Sequence, residues 1–128
     1  MTTAISQGVK ISIETAYQEK YSNAEEDSYM FAYSITIQNL TEQPIQLLRR
    51  KWFIFDSFGH TKIVEGEGVV GLQPIIIPNE SYSYVSGCNL KSDVGSMRGL
   101  YYMQNLITDT PLEVEIPEFE LITPYKLN

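Results

Sequence analysis

The chain has 128 residues, with 9 Lys and Arg against 16 Asp and Glu, so its formal net charge is −7. Hydrophobic residues make up 43% of the sequence and charged residues 20%, which is too apolar for intrinsic disorder and enough for one independent core. The negative charge repels phosphate backbones, so we expect no nucleic-acid partner.

The start of the chain, residues 1–8, has neither the basic nor the apolar region of a signal peptide, and we expect it to be a tail. No apolar run approaches the roughly 18 residues of a membrane span, so no membrane insertion is predicted. Cys88 is the single cysteine and has no intrachain disulfide partner. A cytoplasmic, reducing location is therefore favoured.

Apolar residues alternate with a period of two, which is typical of strands with one buried face. The pattern predicts strands over 9–17, 29–39, 45–55, 61–65, 81–86 and 97–103, and from Leu112 to Leu121. A polar loop is expected over 18–28 and another over 89–96. Because the apolar side changes from even to odd positions beyond Ile116, Pro117 should mark a bulge or bend, where the last strand changes partner.

This pattern of seven to nine short strands, with regular turn signals and no helix, predicts an all-β fold. We expect a two-layer antiparallel β-sandwich of the immunoglobulin or fibronectin type III kind, with a small closed barrel as the alternative. No linker divides the chain. The prediction is a single domain over residues 9–124, with a short C-terminal tail at 125–128.

The segment from Gly66 to Gly71 matches the G-x-G-x-x-G pattern of dinucleotide sites through Gly66, Gly68 and Gly71. That pattern needs a following helix, and none is predicted here. The glycines therefore permit a bulge, a positive φ or a close backbone approach. Alternatively, they form a nest of backbone amides that binds an anion or the main chain of a partner.

Arg50 and Trp52 form a basic aromatic pair, and alternation sends both side chains to the same side of their strand. In one interpretation the arginine stem packs along the indole at the rim of the sandwich. In the other, the pair is a contact for a protein partner, because Trp, Tyr and Arg dominate interface energetics.

Catalytic and metal-binding patterns are poorly represented. His60 is the single histidine and sits in a turn, while Cys88 is expected to be a buried, inert thiol. The candidates for Mg²⁺ are two glutamates beside the glycines and four near the end of the chain, namely Glu65, Glu67, Glu113, Glu115, Glu118 and Glu120. Alternating glutamates are usually the solvated face of a strand. We expect no enzyme activity, no cofactor and no tight, preformed metal site.

Several ordered segments resemble the bacterial ApaG family and span about residues 9 to 124. The segments that carry the resemblance are Phe31-x-Tyr33-x-Ile35-x-Ile37-x-Asn39, Gln46-Leu47-Leu48-x-Arg50-x-Trp52-x-Ile54-x-Asp56-x-x-Gly59, Val64-x-Gly66-Glu67-Gly68-Val69-Val70-Gly71-x-Gln73-Pro74, Tyr82-x-Tyr84-x-Ser86-Gly87, Met97-x-Gly99-x-Tyr101-x-Met103 and Ile116-Pro117-x-Phe119-x-Leu121 with Pro124. One turn departs from the family, since Pro78-Asn79-Glu80 stands where Pro-Gly-Glu is usual.

The resemblance implies a β-sandwich of the immunoglobulin or fibronectin type III kind and an indirect link to cobalt resistance and magnesium efflux. In the family, the gene often lies near that of a diadenosine tetraphosphate hydrolase, and related domains in F-box and polymerase-interacting proteins are inferred to bind proteins. We therefore expect a non-enzymatic protein-interaction module with an unidentified protein partner. The alternative is binding of a small anion, such as a nucleotide polyphosphate, at Gly66–Gly71. The oligomeric state is not predicted.

Overall fold

Nine antiparallel strands build the protein, as seen in a computed structural model that describes residues 1–127. The strands are β1 Thr2–Ser6, β2 Val9–Tyr17, β3 Tyr29–Asn39, β4 Ile45–Asp56, β5 His60–Glu67, β6 Ile75–Ile76, β7 Ser81–Leu90, β8 Val94–Asn105 and β9 Thr110–Ile122. Short 3₁₀ turns occur at Glu19–Tyr21, Ala24–Glu26 and Pro124–Leu127. Within residues 1–127, no helix has the length and apolar character needed to cross a bilayer.

The strands form two sheets that pack face to face. One sheet has the order β1-β2-β3-β7, and the other has the order β5-β4-β8-β9, with the short β6 also paired to β4. All the pairings are antiparallel. The predicted two-layer sandwich of the immunoglobulin or fibronectin type III kind is confirmed.

The core lies between the sheets and is built by side-chain alternation. In β2, Val9, Ile11 and Ile13 are buried while the intervening residues are more exposed. In β3, every second residue from Phe31 to Asn39 is buried, and β3 lies between β2 and β7. Each fully buried large apolar side chain contributes about 1.5–3 kcal/mol through the hydrophobic effect.

The predicted bulge at Pro117 is confirmed. Met97 pairs with Phe119 but Gly99 pairs with Ile116, so Pro117 and Glu118 together lie opposite one residue of β8. This extra residue explains why burial switches from Val114 and Ile116 to Phe119 and Leu121. The predicted change of partner is wrong, because β9 pairs with β8 along its whole length.

Three segments differ from the sequence predictions in extent. The segment 1–8, predicted as a tail, contains β1, which pairs with β2 from Thr2↔Ile13 to Ser6↔Val9. The loop predicted over 89–96 is shorter, since β7 extends to Leu90 and β8 begins at Val94. In the predicted C-terminal tail, residues 125–127 belong to a 3₁₀ turn and residue 128 lies outside the described residues.

Asp56 is a buried carboxylate, only 8% exposed, at the end of β4. It accepts hydrogen bonds from the Phe58 N–H at 3.1 Å, from the Lys91 N–H at 2.6 Å and from the Ser92 hydroxyl. Burial by itself raises the pKa of this carboxyl, but these hydrogen bonds outweigh burial and hold the pKa below its ordinary value. Asp56 thereby joins the β4–β5 turn to the β7–β8 turn.

We expect Asp56→Asn to lower the free energy of unfolding by about 2 kcal/mol at pH 7, because charge-assisted hydrogen bonds are lost. The folded-state pKa of Asp56 is depressed, so its contribution is present above the unfolded-state value of about 3.9 and is lost as the pH falls toward the folded-state value. Urea unfolding between pH 3 and pH 7 should show a smaller acid-induced loss in the variant. The exposed Glu113→Gln is the control, and equal behaviour of the two variants would contradict this role.

Candidate functional site

A bulge in β4 decides where Arg50 points. The pairing of β4 with β8 shifts between Leu47 and Arg49, so Leu48 is an extra residue. Before the bulge Ile45 and Leu47 face the core, and after it Trp52 does, with Arg50 partly buried on the same side. The side chains of Arg50 and Trp52 therefore share one side of the strand, as the sequence predicts.

The Arg50 side chain is held by the glycine segment. Its Nη1 donates to the carbonyl oxygens of Glu67 and Gly68, each at 3.0 Å. Gly66 lies opposite Arg50 in the β4–β5 ladder, and a Cβ there would lie 2.7 Å from Nη1. The absence of a side chain at Gly66 makes room for the guanidinium, so two candidates that the sequence treats separately form one structural unit.

The rest of the glycine segment is a tight turn at the edge of β4. Val69 and Leu72 exchange backbone hydrogen bonds of 2.8 and 2.9 Å, and the two residues between them, Val70 and Gly71, have φ of 47° and 77°. Positive φ at both central positions is the geometry of a type I′ turn. Gly68 also has a positive φ, of 60°, and a Cβ there would lie 2.1 Å from the Leu72 carbonyl oxygen.

Three amides of this segment donate hydrogen bonds within the protein. The Gly68 N–H donates to the Leu48 carbonyl at 2.8 Å, and the amides of Val69 and Leu72 bond to each other's carbonyls. The chain then continues into strand β6 rather than into a helix. The segment therefore lacks the helix N-terminus that holds the pyrophosphate in dinucleotide sites.

Trp52 belongs to the core rather than to the surface. It is 2% exposed, and its ring packs edge-to-face with Tyr33 at 5.6 Å, Phe119 at 5.8 Å and Tyr101 at 6.4 Å between centroids. Such aromatic pairs add about 0.5–1.5 kcal/mol each beyond area burial. Trp52 thus provides a rigid wall and little exposed contact area.

A groove of about 310 Å³, hereafter the open-side groove, runs between β5 of one sheet and β7 of the other. Residues that line it include Tyr33, Arg50, Trp52, Lys62, Ser86 and Cys88. Within the described chain, β5 pairs only with β4 and β7 only with β3, so each strand leaves one edge unpaired beside the groove.

The charges of this groove are positive. Arg50 and Lys62 line it, and no Asp or Glu among residues 1–127 does so. Burial raises the pKa of the Cys88 thiol to about 11, while the Lys62 charge lowers it and the Asp56 charge raises it. Burial likewise raises the pKa of Tyr33, with the Ser86 hydrogen bond and the Arg50 charge acting in the opposite direction. The thiol and the phenol are therefore neutral at pH 7.

Two further tyrosines lie behind the groove. The hydroxyls of Tyr84 and Tyr101 form a buried hydrogen bond with each other. Burial raises the pKa of both phenols, and the Arg50 charge acts in the opposite direction. This neutral pair satisfies two polar groups inside the core and leaves Arg50 and Lys62 as the charges that face an incoming molecule.

Other candidates from the sequence lie apart from this groove. His60 begins β5 and stacks on Phe58 with centroids 6.1 Å apart. Glu65 is an outward residue that pairs with Lys51 at 3.7 Å. Among the described residues, no three His, Cys, Asp or Glu side chains are grouped so as to hold a metal ion. The expected absence of a tight metal site stays a prediction.

Sequence analysis missed two features of this region. Lys62 was not singled out, although its alternation with Val64 places both on the groove side of β5. No local pattern singles out Asp56, because its partners Lys91 and Ser92 lie 35 and 36 residues away along the chain. Knowledge of which strand edges meet would have been needed to connect either residue to its neighbours.

Comparisons with known proteins give one consistent result. Residues 19–105 match the family model described as ApaG domain. The chain is 45% identical over 120 residues to Protein ApaG of Vibrio cholerae serotype O1, covering 94% of both chains. It is 40% identical over 124 residues to Protein ApaG of Brucella abortus, covering 97% of this chain and 95% of that one.

A solved structure agrees with these relatives. The crystal structure of a Bordetella pertussis protein described as ApaA superimposes with a TM-score of 0.87 at 37% identity. The match covers 91% of this chain and 94% of that one. None of these three names denotes an enzyme activity.

We expect alanine substitutions at the three glycines to lower the free energy of unfolding by different amounts. Gly68→Ala is expected to cost about 3 kcal/mol or more, because it combines left-handed strain with a backbone clash. Gly66→Ala should cost about 1–2 kcal/mol by displacing Arg50 from its two carbonyls. Gly71→Ala, with nothing within 4 Å of the new Cβ, should cost about 1 kcal/mol from strain alone. Urea unfolding measures all three, and equal losses would contradict this assignment.

Proposed function

The chain belongs to the ApaG domain family, and from that premise we propose that it is a non-enzymatic protein-interaction module that binds its partner at the open-side groove. The proposal places it in the cytoplasm, where a single buried cysteine is compatible with a reducing environment. Protein partners are favoured over nucleic acids by the net charge of −7.

The observation that carries this proposal is a positively charged groove between two unpaired strand edges. Arg50 is held in place by two backbone carbonyls, so little conformational entropy is lost when a partner binds it. Trp52 and Tyr33 give the groove rigid aromatic walls. Aromatic and arginine side chains in well-packed surroundings are the features that dominate protein interfaces.

The proposed link to cobalt and magnesium runs through the partner. Cobalt prefers imidazole and thiolate ligands, and this chain has one of each, His60 and Cys88. His60 is exposed and stacked on Phe58, whereas Cys88 lines the groove on a different sheet. An effect on ion efflux is therefore proposed to be indirect.

Anion binding at Gly66–Gly71 has weaker support. The amides of Gly68, Val69 and Leu72 already donate to backbone carbonyls, and the exposed carboxylate of Glu67 would repel an anion. The turn is also explained without a ligand, since its glycines accommodate Arg50 and the positive backbone angles. We therefore retain the protein-interaction proposal.

Charge reversal at Lys62 tests the proposed function. Lys62 is exposed and lines the groove, so Lys62→Glu should weaken a partner contact about tenfold or more without disturbing the core. The measurement is cross-linked capture from cell extract with the full chain as bait, followed by quantitative mass spectrometry. Lys20→Glu, an exposed charge reversal outside the groove lining, is the matched control.

The proposal requires at least one protein that is retained by the wild type and by Lys20→Glu but depleted by Lys62→Glu. Retention of no specific protein by any bait would defeat it. So would partners that are captured equally by all three baits.

A further inference from the structure

Strand β7 forms an unprotected edge of its sheet. Its ten residues, Ser81–Leu90, include no charged residue and no proline. It is the outermost strand of the β1-β2-β3-β7 sheet, and within the described chain nothing pairs with its outer side. Natural proteins normally blunt such edges with charges, prolines or bulges, because an open edge recruits further strands.

The backbone groups available on this edge follow from the ladder. The Asn39 N–H donates to the Glu80 carbonyl at 3.0 Å, which fixes the phase of the β3–β7 hydrogen bonds. Because these bonds alternate in an antiparallel pair, the N–H and C=O groups of every second residue point away from β3. On β7 these residues are Ser81, Ser83, Val85, Gly87 and Asn89.

The opposite edge, on β5, is protected. Lys62, Glu65 and Glu67 place charges along that strand. The Gly68 N–H donates to the Leu48 carbonyl, which fixes the alternation of hydrogen bonds between β4 and β5. The neighbouring residue, Glu67, therefore has its carbonyl pointing away from β4. The Arg50 guanidinium donates a hydrogen bond to that carbonyl. Of the two edges that border the groove, β7 is the one left free for pairing.

We propose that β7 accepts an extended acidic segment of the partner as a fifth strand of its sheet, with an inward carboxylate facing Arg50 and Lys62. This inference rests on the proposed function and specifies the chemistry of its partner. Inward side chains of an added strand would lie beside Ser86 and Cys88, which line the groove. The groove presents two cations without a lining carboxylate, so an acidic side chain is the complement.

Electrostatics favours such a segment over a second copy of this chain. Pairing β7 with β7 of another molecule would join two chains of charge −7 and bring two cationic grooves together. An acidic segment meets the groove cations at contact distance, whereas charges farther away than about 8 Å are screened at physiological ionic strength.

The test uses the full chain and a displayed library of random peptides about twelve residues long. Binding of the enriched peptides is then measured by fluorescence titration against four variants. Val85→Pro removes an outward N–H from an exposed position without removing a bond to β3, so the fold should be kept. Val85→Thr retains the N–H, Ile63→Pro is the matched proline on the β5 edge, and Lys62→Glu reverses a groove charge.

The enriched peptides should carry Asp or Glu in an alternating, strand-forming sequence. Val85→Pro and Lys62→Glu should each weaken binding about tenfold or more, whereas Val85→Thr and Ile63→Pro should stay within about twofold of the wild type. Bound peptide should also slow amide hydrogen exchange at Val85 and Gly87. Circular dichroism and thermal unfolding establish that each variant is folded. If Val85→Pro does not fold, the exchange measurement on the wild type decides.

The pattern of binding losses among the variants distinguishes failure of strand addition from failure of the proposed function. Peptides that lose binding in Lys62→Glu but not in Val85→Pro would overturn strand addition and leave the proposed function intact. If no acidic peptide is enriched, the inference fails, and the capture experiment with Lys62→Glu decides the groove proposal separately. If peptides are enriched but neither variant affects their binding, both the inference and the groove proposal fail. If the wild type is a dimer and Val85→Pro is a monomer, the strand that pairs with β7 belongs to a second copy of this chain and not to an acidic segment of a partner.

Discussion

Each of the two sheets must bury one complete face against the other. Strict alternation satisfies this in β2 and β3, but the longer strands of the second sheet need correction. The bulges at Leu48 in β4 and at Pro117 in β9 each add one residue. Each bulge returns the apolar side chains to the core where a regular strand would turn them outward.

The bulge at Leu48 also creates the conditions for the candidate site. It puts Arg50 and Trp52 on the same side of the strand as Leu47, and the Leu48 carbonyl accepts hydrogen bonds from the Gly68 N–H and the Gln73 side chain. Arg50 in turn binds the carbonyls at the end of β5. One local irregularity therefore positions a cation, orders the glycine turn and covers part of one sheet edge.

The two lateral sides of the sandwich differ in how they are closed. On one side β1 approaches β9, and the Glu115 N–H donates to the Ser6 hydroxyl at 3.0 Å. On the other side, β5 and β7 remain separated by a cationic groove. A sandwich cannot remove its edges as a closed barrel does, so it must protect or use each one. This asymmetry leaves β7 as the open edge, which is why the proposed partner strand is placed there.

The sequence predicts the strands with strong alternation, such as β2 and β3, and the bulge at Pro117, because these depend on the local pattern of apolar residues. It did not reveal β1, whose Thr2–Ser6 segment has little apolar character and exists through pairing with β2. Tertiary structure alone decided that Asp56 meets Ser92 and that Lys62 faces Cys88 across a groove. Both depend on which strand edges and turns become neighbours, and that follows from long-range packing, which no local spacing encodes.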